Sequence, residues 1–203
     1  MTFMIYRIGK VNIVTDQTAL ILRLKQREPE ALTEVFETHS DKIYRLAVGI
    51  LQDEQQADGV VQDTFIKLIE AIDKFEGRAD IGTWLYRVAY HECVGRKRRS
   101  KPDVSVDDML DDDFMPECFV NWGDIPDTVL NNQEAMTEME RAINELPEAL
   151  ATVFRLRDVE GLSTAETAHI LNLSESATKV RLHRARLMLR EKLANYFQEW
   201  TRI

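Results

Sequence analysis

The sequence predicts an all-α protein in which two small helical domains are joined by a flexible acidic linker. Apolar residues recur at intervals of three and four before residue 101 and after residue 132, which is the spacing of amphipathic helices. No stretch shows the apolar-polar alternation of a strand. Between the two helical regions, acidic residues are combined with Pro102, Pro116, Gly123 and Pro126, and such a composition buries too little apolar surface to offset chain entropy.

The domain boundaries follow from these changes in composition. We expect an N-terminal arm, extended or disordered, at residues 1–17. The first domain is then predicted at 18–101, the acidic linker at 102–135 and the second domain at 136–203. No stretch reaches the roughly 20 consecutive apolar residues that a spanning helix needs, so we expect no membrane contact of the chain's own.

The charge of the chain is concentrated in one segment. The 203 residues carry a net charge of −9, and the stretch from Asp103 to Thr137 contains 10 acidic residues and no basic one. Both flanking regions are close to neutral, so each domain is free to carry a basic face. The overall acidity therefore does not exclude binding to nucleic acid.

The first domain is predicted to be a helical bundle. Helix boundaries are expected at Pro29 and near residues 52–56, and a further helix is expected in "ADGVVQDTFIKLIEAIDKF". That helix ends before Gly77, which can supply a turn. The last helix of the domain is expected to begin near Thr83 and to run through "WLYRVAYHECVGRKRR".

The second domain contains the pattern of a helix-turn-helix. Ser163 and Glu166 have the spacing of a capping box, and Asn172 ends the helix at a residue that tolerates the left-handed conformation. Ser174 is placed to cap the following helix. That helix is expected to pack inward through an apolar stripe made of Thr178, Leu182, Ala185 and Leu189.

The other faces of this second helix carry polar and basic residues. In a helix-turn-helix, this helix enters the major groove, where early side chains contact base edges and cations neutralise phosphates. Arg181 and Arg184 are the best candidates for a guanine contact, because the planar guanidinium matches the two acceptors of that base. A solvated basic helix is the alternative. The candidate DNA-binding residues are Ser176, Lys179, Val180, Arg181, His183, Arg184 and Arg186.

Aromatic and basic residues alternate near the end of the first domain. Single-stranded nucleic acid is bound by this combination, since bases stack on aromatic rings while cations follow the backbone. Core packing of the aromatics and a favourable helix dipole at the basic end are the alternatives. The candidates for single-strand binding are Phe75, Arg78, Trp84, Arg87, Arg96, Lys97, Arg98 and Arg99.

Taken in order, these motifs resemble the extracytoplasmic-function group of bacterial sigma factors. The resemblance rests on "ADGVVQDTFIKLIEAIDKFEG", "TWLYRVAYHECVGRKRR" and "LPEALATVFRLRDVEGLSTAETAHILNLSESATKVRLHRAR", separated by an acidic linker, and it extends from about Thr18 to Phe197. It implies an initiation factor that binds core RNA polymerase and promoter DNA. The first domain would melt the −10 element and hold one strand, and the second would read the −35 element as duplex.

The resemblance also implies roles for particular residues. Phe75 and His91 occupy positions where the family captures a flipped −10 base. The polymerase contact lies along the helix that matches "DGVVQDTFIKL", which implies docking through Asp58, Gln62, Asp63 and Thr64. A restraining anti-sigma factor, often membrane-bound, and a role in stress responses are expected for the group.

The first domain departs from the family pattern at three positions, and in the recognition helix "SESATKVRL" replaces a frequent Gly-Thr-Val-Lys-Ser pattern. His91 stands where the family usually has Asn, and Gly95 and Gly59 stand where Asp is common.

The acidic linker is expected either to occupy polymerase channels meant for nucleic acid, as the family's linker does, or to shield the basic faces until polymerase separates them.

Two other classes of protein are alternatives to this prediction. A stand-alone helix-turn-helix regulator would bind duplex operator DNA without polymerase, usually as a dimer, and would leave the aromatic and basic residues of the first domain without a role. An enzyme is not predicted, since the sequence has no catalytic or metal motif and no phosphate-binding loop. We therefore predict no catalytic residue, metal or cofactor.

The two cysteines, Cys93 and Cys118, lack the spacing of a disulfide framework. Their spacing favours a reducing compartment, the cytoplasm.

Overall fold

A computed structural model describes residues 13–100 and 133–200. Within those two ranges the regular secondary structure consists of helices, with no strand. This confirms the predicted all-α class. The helices are α1 (Ile13–Lys25), α2 (Pro29–Leu51), α3 (Glu54–Ala71), α4 (Ile81–Ser100), α5 (Gln133–Asn144), α6 (Glu148–Phe154), α7 (Thr164–Leu171) and α8 (Glu175–Trp200). A 3₁₀ turn, Ile72–Lys74, follows α3, and a π-helical turn, Arg155–Val159, follows α6.

The first domain is a bundle in which α2, α3 and α4 pack against one another. Pro29 begins α2, where its missing N–H costs nothing, and Gln52 ends it in the left-handed conformation with φ 55°. The Asp53 side chain caps α3 by accepting a hydrogen bond from the Gln56 N–H at 2.9 Å. The centre of this core is formed by Ile43, Leu46, Leu68 and Leu85, none more than 1% exposed.

Helix α1 begins earlier than the sequence indicates. The arm predicted at 1–17 contains the first turn of α1, which starts at Ile13 and packs against α2 and the 3₁₀ turn. The Gln17 amide donates a hydrogen bond to the carbonyl of Ala79 at 3.1 Å, so the helix is tied to the loop before α4. Residues 1–12 lie outside the described residues, as does nearly all of the acidic linker.

The second domain consists of α5 to α8. Helix α8 packs along α6, and Leu150, Val153 and Leu189 are buried between them. Pro147 immediately precedes α6, at the break that the sequence predicts. The π-helical turn then redirects the chain, and it leads through Gly161, with φ 74°, into α7.

The two domains pack against each other. Leu156 from the π-helical turn and Ile170 from α7 are fully buried, and both belong to the apolar cluster of the first domain. Helix α7 lies against α4, the helix that carries the candidate single-strand residues. This interface joins residues that lie far apart in sequence, and it sets the surroundings of both candidate DNA-binding surfaces.

Among residues 13–100 and 133–200, no helix has the length and apolarity that crossing a membrane requires.

Candidate nucleic-acid interface

The helix-turn-helix is formed by α7 and α8. Its capping box is complete, since the Ser163 hydroxyl accepts from the Glu166 N–H at 3.2 Å and Glu166 accepts from the Ser163 N–H at 2.7 Å. Asn172 turns the chain with φ 57°, as predicted. Ser174 then caps α8 by accepting from the Ala177 N–H at 3.1 Å.

The inward stripe of α8 is also as predicted. Thr178, Ala185 and Leu189 are 0% exposed, and Leu182 is 7% exposed. The Thr178 hydroxyl is satisfied by the carbonyl of Ser174 at 2.9 Å. Since one side of the helix is fixed against the core in this way, the side that carries Lys179 and Ser176 faces solvent.

The basic side chains of α8 differ in their surroundings. Lys179 is exposed, whereas Arg186 is held by Asp158 through two parallel hydrogen bonds, Nε to Oδ2 at 2.8 Å and Nη2 to Oδ1 at 2.7 Å. His183 is half-buried, and its Nε2 is buried without a hydrogen-bond partner. Arg186 is thus committed to a protein carboxylate in this state, a pairing that the sequence did not indicate.

In the first domain, the aromatic candidates lie between the 3₁₀ turn that follows α3 and the first turn of α4. The rings of Phe75 and Trp84 meet edge to face, with centroids 6.0 Å apart, and both side chains are half-buried. The Arg78 side chain is 85% exposed and pairs with Glu76 at 2.5 Å. Two half-buried aromatic rings therefore lie beside an exposed guanidinium here.

Most basic candidates on α4 already have partners within the protein. The Arg87 guanidinium donates to the backbone carbonyl of His169 at 2.8 Å and also lies against the imidazole ring of His169. Lys97 forms an ion pair with Glu148 and lies 3.3 Å from the carbonyl of Ile50. Arg98 and Arg99 are exposed at the end of the helix. The pairs of Arg87 and Lys97 cross from the first domain to the second.

Arg96 is folded back onto α3. Its Nη2 lies 2.5 Å from Asp63 Oδ2, and its Nη1 donates to the carbonyl of Gln56 at 3.3 Å. A Cβ added at Gly59 would lie 2.7 Å from Arg96 Nη1, so the glycine leaves the space that the guanidinium fills. Gly95 has no atom near its Cβ position and requires no glycine sterically.

The polymerase candidates on α3 are only partly accessible. Asp58 and Gln62 are exposed, and Asp63 is shared with Arg96. The prediction is wrong for Thr64, which is 0% exposed and donates its hydroxyl proton to the carbonyl of Val60 at 2.7 Å. A residue buried in the bundle cannot contact a partner protein.

The sequence missed an exposed apolar patch on the same side of the bundle. Phe36, Ile66 and Ile69 are 46%, 45% and 42% exposed, and the Phe36 ring packs on Phe65 with centroids 4.8 Å apart. The helical periodicity places Ile69 on the inward face, but the structure leaves it at the edge of α3. Clustered exposed apolar side chains are typical of a protein-binding surface.

Burial changes the acid-base properties of two further candidates. It raises the pKa of the Cys93 thiol to about 12, and nearby Arg96 only partly opposes this. Cys93 is 0% exposed, so this thiol is unreactive, whereas Cys118 lies outside the described residues. His91 is exposed at the surface, but partial burial of its ring and the positive charge of Arg87 lower its pKa, which favours the neutral imidazole that a base contact uses.

The chain is similar to proteins of one family along both domains. Family models described as "Sigma-70 region 2" and "Sigma-70, region 4" match residues 35–102 and 136–189. The ECF RNA polymerase sigma factor SigW of Bacillus subtilis is 30% identical over 176 residues, which are 85% of this chain and 94% of SigW. The ECF RNA polymerase sigma-E factor of Haemophilus influenzae is 30% identical over 190 residues, 89% of this chain and 96% of that protein.

Solved structures show the same fold. CnrH, solved with the cytosolic domain of CnrY, superposes with a TM-score of 0.62 at 21% identity and covers 88% of this chain and 97% of its own. The sigma factor RpoE of Bartonella quintana, solved with the anti-sigma factor NepR, gives 0.61 at 20% identity, with coverage of 80% and 96%.

Together these features define a class, that of two-domain helical transcription factors with a sigma-70 region 2 and region 4 in order. Within it, the chain belongs to the extracytoplasmic-function group of RNA polymerase sigma factors. It is a transcription initiation factor that directs RNA polymerase, as the sequence motifs predicted, rather than a stand-alone regulator.

Proposed function

We propose that the two domains divide promoter recognition between them, with α8 reading duplex DNA at the −35 element and the Phe75 to Arg99 surface holding a single strand at the −10 element. The main support for this proposal is that α8 is fixed to the core by a buried stripe, while Lys179 and Ser176 on its early turns remain exposed. This is the geometry with which a recognition helix reaches base edges. Lys179, Arg181 and Arg184 are the strongest candidates for contacts in the groove.

For the single strand, the supporting observation is the half-buried pair of Phe75 and Trp84 near an exposed Arg78. Stacking of a base on such a ring contributes roughly 1–3 kcal/mol. His91, as a neutral imidazole, would donate or accept a hydrogen bond at the base edge. Arg98 and Arg99 would follow the phosphates directly, and Arg87, Arg96 and Lys97 would do so once their protein partners are displaced.

For core polymerase, we propose docking through the exposed patch of Phe36, Ile66 and Ile69, with Asp58 and Gln62 at its edge. Exposed apolar side chains beside polar ones have the composition of an interface core and rim. Ile66→Gln is expected to weaken binding to core polymerase at least several-fold in a pull-down titration while the melting temperature stays near that of the parent. Leu22→Gln, which changes an exposed apolar residue on α1, is the matched control and should leave binding unchanged.

The remaining partners follow from the family. Because the structurally similar sigma factor RpoE was solved with the anti-sigma factor NepR, we propose that such a protein restrains this chain and competes with polymerase. We place the factor in the cytoplasm, where core polymerase works. Members of the family act without a reaction of their own, and we assign no catalytic residue to this chain.

The central test is DNA retention with and without core polymerase, on a duplex library and on the same library with a melted bubble. We expect sequence-selective retention that needs core and is strengthened by the bubble. Arg184→Ala should weaken selection at the −35 element, and Trp84→Ala should reduce the gain from the bubble. Tight, selective binding to a palindrome without core would contradict the division of promoter recognition proposed here.

A further inference from the structure

A short loop, residues 75–80 (the −10 loop), connects the 3₁₀ turn after α3 to the start of α4 and has no regular secondary structure. It carries Phe75 and Arg78, two residues of the proposed −10 surface, and the residues at 76–78 and 80 are exposed. Ordering an exposed loop during binding costs affinity, so a loop that captures a base benefits from being held in one conformation beforehand. An element that fixes this loop would therefore also affect base capture.

Both ends of the −10 loop are held by near neighbours. At its entry, the Phe75 N–H donates to the carbonyl three residues earlier at 3.1 Å. At its exit, Asp80 Oδ1 accepts from the Gly82 N–H at 2.8 Å and caps the first turn of α4. The His39 imidazole, from α2, lies against the same turn, since a Cβ added at Gly82 would lie 2.7 Å from His39 Cε1. The middle of the loop is left to contacts from elsewhere in the chain.

Helix α1 supplies such contacts from one of its faces. The Gln17 amide donates to the carbonyl of Ala79 at 3.1 Å. One turn further along the helix, Ile21 lies over Gly77, because a Cβ added at this glycine would lie 3.6 Å from Ile21 Cδ1. Gly77 has the left-handed φ of 70°, so Ile21 covers the point at which the loop turns. Residues four apart share a helix face, and both contacts therefore come from the same side of α1.

Just beyond the end of α1, Arg27 fixes the helix to the segment that precedes the −10 loop. Its Nη2 lies 2.6 Å from Asp73 Oδ2 in the 3₁₀ turn, and its Nη1 donates to the carbonyl of Ile69 at 2.5 Å. Together with the two contacts above, this pairing places α1 antiparallel beside the loop, from its entry to its exit.

We propose that α1 is a positioning element for base capture at the −10 element and that Gln17 and Ile21 are its positioning residues. They hold the backbone of the −10 loop so that Phe75 and Arg78 are presented to the single strand, and they do not touch the DNA themselves. The role in base capture rests on the proposed function, whereas the contact between α1 and the loop does not. Helix α1 precedes residues 35–102, the range that matches the region 2 model, so this support comes from outside the matched region.

The test uses two matched pairs of variants of the full chain. Gln17→Met removes the amide that bonds to Ala79 but keeps the length and the charge of the side chain unchanged. Gln26→Met is its control, because Gln26 is exposed just beyond the end of α1. Ile21→Ala and Leu22→Ala form the second pair, since Ile21 is half-buried against the loop and Leu22 is 58% exposed.

The first readout is the backbone order of the −10 loop, measured by ¹⁵N relaxation. In the parent we expect order parameters close to the value of a rigid backbone, about 0.85, and in Gln17→Met and Ile21→Ala a fall toward about 0.6. The two control variants should match the parent. Unchanged order parameters in α2 and α3 will separate a loosened loop from a general loss of structure.

The second readout is retention by the holoenzyme of promoter bubbles that differ at one unpaired base of the −10 element. Loss of one hydrogen bond that orders the loop is expected to reduce the preference for the selected base by about two- to tenfold. Binding to core polymerase and selection at the −35 element should stay at the parent's level. A general structural defect would instead lower all three together.

The two readouts separate the contact from its role. Equal loop order in Gln17→Met, Ile21→Ala and the parent would overturn the positioning by α1. If the loop loosens but base preference is unchanged, Trp84→Ala shows which claim has failed. A smaller gain from the bubble in Trp84→Ala would overturn the role of α1 and leave the proposed −10 surface standing. An undiminished gain in Trp84→Ala as well would overturn that surface together with the role of α1 in base capture.

Discussion

At the residue scale, glycines decide where charged side chains can lie. Gly59 leaves space for Arg96, which reaches across α3 to Asp63 and covers a residue expected to meet polymerase. Gly49 does the same for Arg155 at the domain interface. Neither glycine has the positive φ that would reveal it as a turn residue, so the reason for each is visible only in its tertiary neighbours.

The state of the Cys93 thiol leads to a chemical prediction. With the pKa raised to about 12 by burial, almost no thiolate forms at pH 8, and the sulfur is out of contact with solvent. In a Cys118→Ser variant, Cys93 is expected to react with Ellman's reagent only as fast as the protein unfolds. The measurement is absorbance at pH 8 with and without denaturant. Rapid labelling of the native protein would contradict the buried, inert thiol.

His39 makes stability depend on pH. Burial and the nearby charge of Lys42 lower the pKa of His39, and Asp80 opposes this only in part. Between the two pKa values, His39 is protonated in the unfolded chain but neutral in the folded chain. The free energy of unfolding therefore decreases as the pH falls below about 6.5 toward the folded pKa. We expect the melting temperature to fall between pH 7.5 and 5.5, and His39→Gln to reduce that fall. An unchanged slope in the variant would argue against this assignment.

At the scale of single elements, the capping box of α7 links local structure to the interface. Burial alone would raise the pKa of Glu166, but hydrogen bonds from Ser163 and Thr83 outweigh it and keep the pKa below its ordinary value. The carboxylate therefore stays charged, caps α7 and contacts α4 at the same time.

Removing this cap has a predictable cost. Ser163→Ala is expected to destabilise the protein by about 1 kcal/mol, because one backbone N–H at the start of α7 loses its acceptor. Ser163→Asp, which keeps an acceptor at the N-cap, should remain close to the parent. Thermal unfolding at neutral pH measures both. Equal losses for the two variants would show that the effect does not come from capping.

At the scale of the whole molecule, Leu156 joins the two domains. It lies in the π-helical turn of the second domain but is 0% exposed within the apolar cluster of the first. Leu156→Ala is expected to cost about 2–5 kcal/mol, through lost burial and the cavity left behind. We expect the parent to unfold in a single calorimetric transition and, because the loss falls at the interface, Leu156→Ala to unfold in two.

The control for this prediction is Leu22→Ala, since Leu22 is 58% exposed on α1. We expect it to change stability by less than about 0.5 kcal/mol and to leave one transition. A Leu156→Ala protein that still unfolds in a single transition would show that Leu156 does not couple the domains.

The sequence alone determined the parts of this protein that depend on near neighbours in the chain. Ser163, Asn172 and Ser174 define the helix-turn-helix because caps and left-handed turns involve residues two to four apart. The inward stripe of α8 follows in the same way from helical periodicity. The resemblance to the family rested on longer motif blocks in both domains and on their order along the chain.

Only the tertiary structure decided which charged and polar residues are available to a partner. Periodicity gives a helix an inner and an outer face, but it cannot show that Thr64 is sealed in the bundle or that Ile69 is exposed at its edge. Nor can it show that Arg87 meets His169 and Arg186 meets Asp158, since these pairs depend on where distant elements pack. Exposure and charge pairing are properties of packed surfaces, and they arise only when the helices come together.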